Sequence, residues 1–247
     1  MKKLFRNLIL DKPIHIVSCV SPDGTSVISK NIIVAEEGSK AGIVQELYAP
    51  KGASQQAYLE LLTVDAQANS QLSMTTFQAM DQSAVNFSTR NCTISQDAKI
   101  TWYLGLFGSM LSRYRTNYYL DGVGASAEDA EIVFGDNEQS FDLSANLIHK
   151  KQATEGKVVQ RSVLRNKSKS LFKGMIKILE GASQSRSFLS GRSILLDKDA
   201  KSDAIPGLEI LTNDVKATHS ASVAQVDEEQ VFYLQTLFKQ YNIKLYI

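Results

Sequence analysis

SFDLSANLIH, residues 140–149, alternates without a break. Phe141, Leu143, Ala145, Leu147 and His149 fall on one side of an extended chain, and Asp142, Ser144 and Asn146 on the other. Successive side chains of a strand point to opposite faces, so a run with this period reads as a half-buried strand. The period recurs in GIVQELY, where Ile43, Gln45 and Leu47 share a face, and in YLELLTV, where Leu59, Leu61 and Thr63 do. TSVISKNIIV, QLSMTTFQ, AVNFSTRNCTI, AEIVFG, KVVQRSVL, FKGMIKIL, SFLSGRSILL and GLEIL repeat it.

The links between these runs are short and polar or small: SPDGT, EEGSK, DAQANS, GDNEQ, KKQATEG, RNKSKS. Strand centres recur at a spacing of roughly eleven to fourteen residues, which suits a sandwich, a barrel or a solenoid. Two features favour the solenoid. Tight hairpins favour Asn-Gly and Asp-Gly, and the links contain such a pair only in PDGT and LDGVG. Proline is absent from Lys51 to Ile205. No hexapeptide repeat of an aliphatic residue with glycine appears, and no Gly-Gly-x-Gly-x-Asp calcium repeat. The expected fold is all-β, a parallel β-helix of about eight to ten coils, about 40–50 Å long at ~4.8 Å per rung.

Ile100, Trp102, Leu104 and Leu106, with Tyr103, Phe107 and Tyr119, make both sides of one run apolar. This reads as a strand buried on both faces; the alternative is a face that docks a partner. Charges come in blocks. Acids prevail from Asp121 to Asp142, and bases from Lys150 to Lys177. A solvated face is the default for such runs, but in a stack the two blocks become neighbouring surfaces that attract each other.

The chain has 247 residues and 43% hydrophobic content, enough for one large domain or one with a small appendage. With 27 basic and 26 acidic residues, no overall charge points to nucleic acid or an anionic membrane. The opening MKKLFRNLILDKP loses its apolar run at Asp11-Lys12, which disfavours a secretory signal. A cytoplasmic location is expected. Cys19 and Cys92 form no spaced framework or Cys-x-x-Cys pair.

The end of the chain changes period. Asp227 is placed as an N-cap, with Gln230 completing a capping box and Val226 and Val231 a hydrophobic staple. Glu228 and Glu229 fall in the first turn, at the positive end of the helix dipole. Val231, Leu234, Leu237, Phe238 and Tyr241 follow at helical spacing. A short α-helix is therefore expected to cover the last unpaired edge of the stack. The division is a β-helix core over 1–225 and a helical segment over 226–247.

Motifs for catalysis are missing: no Walker loop, no Gly-x-Ser-x-Gly, no His-Glu-x-x-His, no dinucleotide fingerprint. His15 reads as a strand histidine and His149 as a hydrogen-bonded core residue. His219 differs: it is expected just after the last rung, GLEIL, and Thr218, Ser220, Ala221 and Ser222 leave its imidazole accessible to a partner or as a metal ligand. A β-helix carbohydrate-active enzyme remains an alternative, with the Asp121–Asp142 acids as its candidates.

IPGLEILTNDVKATHSASVAQVDEEQVFYL, residues 205–234, resembles the SufB/SufD family of iron–sulfur cluster assembly proteins, SufD more than SufB. The family carries Pro-x-Leu-Glu-Ile, then Asp-Val-Lys-Cys-x-His-Gly-Ala-Thr, then Asp-Glu-Glu-x-x-Phe-Tyr-Leu. SVLRNKSKSLFKGMIKILEGA, NLIHKKQATEG and PIHIVSCV are similar to upstream family stretches. The resemblance implies a right-handed parallel β-helix, shortened to the core, in a non-catalytic scaffold subunit. It implies a SufB-like or SufD-like paralogue as partner, in a hetero- or homodimer through the β-helix. It implies docking of the SufC ABC-type ATPase through Asp227, Glu228, Glu229, Phe232 and Tyr233. It places His219 at the subunit junction, as a contact for iron or a transient iron–sulfur cluster. The family's cysteine before that histidine is Ala217 here, its following glycine is Ser220, and no cysteine follows Cys92. The isolated chain is therefore expected to bind no cluster. A structural pairing module without a cluster role is a further alternative.

Overall fold

The computed structural model describes residues 2–21, 24–52, 54–227, 229, 232, 233 and 236. The described residues form sixteen strands, numbered β1 to β16 in chain order. β1 (Lys2–Leu4), β3 (Ser26–Ala35), β5 (Gln56–Ala66), β7 (Ala84–Ile94), β9 (Leu111–Leu120), β11 (Ser140–His149), β13 (Lys169–Ile178) and β15 (Lys201–Ile210) form one sheet, in that order. β2 (Ile14–Cys19), β4 (Lys40–Ala49), β6 (Gln71–Met80), β8 (Lys99–Leu106), β10 (Ser126–Gly135), β12 (Glu155–Leu164), β14 (Ser185–Leu195) and β16 (Val215–Gln225) form the other. Every pairing is parallel. The chain alternates between the sheets and climbs one rung per two strands, so the molecule is a two-sheeted parallel β-solenoid. Seven steps of ~4.8 Å separate the first and last strand of a sheet by about 34 Å. The expected coil number holds at its lower end, and the stack is shorter than expected.

One kind of turn closes most coils. Ser39 N donates to Glu36 O at 3.0 Å, Ser70 N to Gln67 O at 3.1 Å and Ala98 N to Ser95 O at 3.2 Å. Each turn contains one left-handed residue: Gly38 (φ 69°), Asn69 (φ 59°) and Asp97 (φ 53°). Gly, Asn and Asp take that conformation at least cost, which is why these links are polar or small. The turns also stack, with Gly38 N donating to Ala68 O at 3.0 Å and Asn69 N to Gln96 O at 2.9 Å. Neighbouring coils therefore need turns of the same shape, not hairpins.

Each strand has an inner and an outer face. β11 buries Phe141, Leu143, Ala145, Leu147 and His149. In β5 the inner residues are Tyr58, Glu60, Leu62 and Val64, and Leu59 and Leu61 face outward. β8 departs from the expected burial on both faces. Ile100, Trp102, Leu104 and Leu106 are buried, but Tyr103 is 50% exposed and Phe107, just past the strand's end, 45%. A solenoid has one interior, and no second layer among the described residues covers this outer face.

The charge blocks meet as the stack predicts. Lys157 Nζ lies 2.9 Å from Glu128 Oε1, Arg165 Nη2 2.9 Å from Asp136 Oδ2 and Lys150 Nζ 2.8 Å from Asp121 Oδ1. Exposed pairs of this kind contribute about 0–1 kcal/mol each, so they favour register more than stability. Amides stack on the other sheet: Asn117 Nδ2 donates to Asn91 Oδ1 at 2.9 Å, and Asn146 Nδ2 to Asn117 Oδ1 at 2.8 Å.

The last strand ends at Gln225, and Glu229, Phe232, Tyr233 and Thr236 are helical. Asp227 Oδ1 accepts from Glu229 N at 2.9 Å, as an N-cap does. The capping box at Gln230, the staple at Val231, the first-turn Glu228 and the apolar face of Leu234, Leu237, Phe238 and Tyr241 lie outside the described residues. Among the described residues no helix is long and apolar enough to cross a membrane.

Candidate functional site

Among the described residues, β15 and β16 each pair with a neighbour on one side only. Among the described residues, no further rung lies above their inward side chains. Leu208 and Ile210 of β15, and Val223 of β16, continue buried lines of the core yet are exposed. As far as the described residues go, the end of the solenoid is thus an open, partly apolar surface.

His219 stands on this surface. The residue reading placed it just after the final rung; the structure places it in the middle of β16, opposite Leu189. The misplacement has a plain cause. Val215, Ala217, His219, Ala221 and Val223 do alternate with Lys216, Thr218, Ser220 and Ser222, but their small side chains give little apolar contrast. His219 extends the inward line Trp102, Asp129, Val158, Leu189. Those four are buried, whereas His219 is exposed. Ala217 precedes it on the same face, so no thiol from this strand accompanies it.

The two cysteines lie elsewhere. Cys19 is exposed at the end of β2, in the first strand of the sheet that β16 ends. That separation is seven rungs, or about 34 Å. Cys92 is buried, and burial holds its thiol far above its usual pKa. Such a thiol stays protonated and is a poor ligand. Among the described residues no three His, Cys, Asp or Glu gather in a group that could hold a metal ion. A cluster at His219 would therefore need thiolates from outside this chain.

Of the expected docking residues, Asp227, Glu229, Phe232 and Tyr233 are described and Glu228 is not. Phe232 is 70% exposed and Tyr233 64%. Val226, Asp227 and Glu229 border a polar groove beside the loop tips at Asn137, Asn166 and Asp197. The other histidines follow their residue reading. His149 is fully buried, with Nδ1 2.8 Å from Thr154 Oγ1 and Nε2 3.1 Å from Ser187 Oγ. Burial pushes its pKa down to about 4, so it is neutral at pH 7. His15 lies on the outer face of β2, 3.6 Å from Glu46 Oε1.

The residue reading missed a set of charges inside the stack. Arg90 is 1% exposed, its guanidinium 4.5 Å from the Trp102 ring and 4.6 Å from the Tyr114 ring. Its Nη2 donates to Thr76 Oγ1 at 3.2 Å, and its Nε lies 4.0 Å from Glu60 Oε2. Glu60 Oε1 accepts from Gln45 Nε2 at 2.6 Å and from Asn31 Nδ2 at 3.2 Å. Asp129 and Glu131 are buried nearby. Burial pushes Asp129 up to about 6, against the opposing influence of Tyr118 and Arg90. Burial and the neighbouring Asp129 hold Glu131 well above the usual carboxylate range. Neither Glu131 oxygen has a hydrogen-bond partner among the described residues, so a protonated carboxyl is the form this site favours. Strict alternation was the available signal: Glu60 falls between Tyr58 and Leu62, and Arg90 between Ser88 and Cys92.

The carbohydrate-enzyme alternative loses its acids to this arrangement. Glu128, Asp136 and Asp142 are paired with bases of the next coil, and Asp129 and Glu131 are enclosed. What remains is a parallel β-solenoid core whose exposed candidate groups sit at one end and in the segment that follows it. A family model described as SUF system FeS cluster assembly, SufBD core domain, matches residues 18–236, and the chain belongs to this family. Similar curated proteins carry the name "Iron-sulfur cluster assembly SufBD family protein". Those of Staphylococcus epidermidis (strain ATCC 12228 / FDA PCI 1200) and Staphylococcus haemolyticus (strain JCSC1435) are each 26% identical over 231 residues. That alignment covers 94% of this chain and 50% of each relative, so the chain spans about half the length of the curated relatives it matches.

Proposed function

We propose that the protein is a non-catalytic scaffold subunit of a Suf-type iron–sulfur cluster assembly complex. It pairs with a SufB-like or SufD-like subunit through its β-helix and binds a SufC-like ABC ATPase. The observation that carries this reading is the family match across nearly the whole solenoid. The open end, with strands unpaired among the described residues and exposed Leu208 and Ile210, offers backbone edges and apolar surface for pairing. A partner there would also cover His219 and supply the thiolates this chain lacks. A cluster would form only in the complex, with His219 as this chain's iron or cluster contact. Asp227, Glu228, Glu229, Phe232 and Tyr233 would dock the ATPase, the two exposed aromatics acting as its anchors. The complex would work in the cytoplasm.

Co-expression of the tagged chain with an ABC ATPase and a cysteine-bearing paralogue tests this. Both should co-purify, and Phe232→Ala with Tyr233→Ala should release the ATPase alone while circular dichroism stays unchanged. His219→Ala should leave both partners bound and lower cluster assembly by the complex. Failure of either partner to co-purify with the unaltered chain would sink the scaffold reading.

A further inference from the structure

The outer face of the even-numbered sheet is not covered by any described residue, and its middle is apolar. Tyr103 is 50% exposed and Ile132 54%, with Phe77, Phe107, Phe134 and Ile194 exposed around them. Phe77 and Phe107 pack against each other, ring centroids 5.3 Å apart. Two arginines edge this patch. Arg161 and Arg192 stand side by side on adjacent rungs, and neither has an ion pair among the described residues. Partial burial and the neighbouring Arg192 lower the pKa of Arg161. An apolar face edged by Arg161 without an ion pair calls for an occupant with an acid at the matching place.

The strand register supplies that place on the same face. One outward line runs Val17, Glu46, Phe77, Gly105, Ile132, Arg161, Arg192 through β2, β4, β6, β8, β10, β12 and β14. Gly105 is its midpoint. A two-fold axis parallel to the strands and passing over β8 turns this line onto itself with the rungs reversed. Glu46, which within its own chain accepts from Tyr48 OH at 2.8 Å and lies 3.6 Å from His15 Nδ1, then faces Arg161 of the other copy, and Phe77 faces Ile132. The flanking lines match in the same operation. Tyr48 meets Val163, and Val44 meets Val159. A two-fold along the stack axis would instead oppose Glu46 to Glu46 and Arg161 to Arg161, so charge selects between the two.

We propose that this outer face binds a second copy of the chain, sheet against sheet, with rung order reversed and Glu46–Arg161 pairs on both sides of the axis. Ten-residue strands at ~3.3 Å per residue and the seven overlapping rungs at ~4.8 Å give a face of roughly 33 by 34 Å. That exceeds the ~800 Å² per partner of a standard specific interface. This face lies along the side of the stack, away from the open end, so both surfaces can be occupied at once.

Analytical ultracentrifugation of the purified chain tests the proposal, at about 50 µM, above the micromolar range such an interface reaches. A dimer is expected. Ile132→Asp should weaken it at least about 30-fold, as loss of a central anchor does. Glu46→Arg and Arg161→Glu should each weaken self-association. Mixing these two variants should restore a heterodimer, because each then meets its opposite charge twice. A monomer at this concentration overturns the proposal. So does a dimer that survives Ile132→Asp and is lost in Leu208→Asp, since that dimer is held by the open end. Two charge variants that fail to combine refute the reversed-rung geometry. Circular dichroism on each variant checks that these outer-face changes leave the fold intact.

Discussion

Arg90→Met tests the polar interior most directly. The change keeps a long flexible side chain between Trp102 and Tyr114 but removes the charge. Arg90 is the counter-charge to Glu60, whose side chain is fully enclosed and whose Oε2 has no hydrogen-bond partner. Breaking one half of a buried ion pair typically costs about 3–5 kcal/mol, because the remaining charge is left unpaired. Asp129 and Glu131 soften the loss, since Arg90 holds their pKa values down and its removal lets both stay protonated. The expected cost is about 3–4 kcal/mol at pH 7, a large share of a typical domain's stability. Glu60→Gln removes the partner charge and should also destabilise. The double variant should cost less than the sum of the two, by about 1–3 kcal/mol. Urea denaturation followed by circular dichroism, on all four proteins of the cycle, measures this. A single-variant cost below about 1 kcal/mol, or strict additivity in the double, would refute a functional pairing across the 4.0 Å gap.

Two pH effects of opposite sign should separate by substitution. Asp129, raised to about 6 by burial, binds a proton in the folded state that the unfolded chain has already lost, so its contribution falls as pH rises from about 4 to 6; Asp129→Asn should remove that fall and be the more stable form at pH 7 by on the order of 1 kcal/mol or more. His149, lowered to about 4, is neutral when folded while the unfolded imidazole charges below about 6.5, so its contribution is lost as pH falls from there towards 4. His149→Gln should flatten that acid-side loss, and equal slopes for wild type and variant in denaturation at pH 5 and 7 would count against the buried imidazole as its source.

The strands were legible because a half-buried strand writes its period into neighbouring residues. SFDLSANLIH needs nothing beyond itself to be read. The choice of inside and outside was less legible. In YLELLTV, leucines occupy both faces, and hydrophobicity cannot say that Tyr58, Glu60 and Leu62 point inward while Leu59 and Leu61 point out. β8 misled for the same reason, because Tyr103 and Phe107 are apolar and exposed. The histidines divided by context. His149 sits among large buried residues and could be assigned to the core, whereas His219 sits among residues too small to reveal a strand. The ion-pair ladder was visible because its two halves are contiguous blocks, one coil apart.

The interior was hidden for a different reason. Its unit is the line of side chains running across the rungs, and members of one line lie about a coil apart in sequence. Gln45 and Glu60 touch because the two sheets face each other, and Glu131 follows Leu104 and precedes Gln160 only through the register of β8, β10 and β12. No local window contains these neighbours. The same logic explains His219. Its line is buried from Trp102 to Leu189, where each member is covered by the next. At β16 the covering residue is missing among those described, so the side chain that would be a core residue one rung earlier becomes a surface group. A line that ends in an imidazole, at an end whose two strand edges are unpaired among the described residues, presents a polar group inside an apolar rim. Any partner that extends the sheets by one rung must place its own side chain directly over His219.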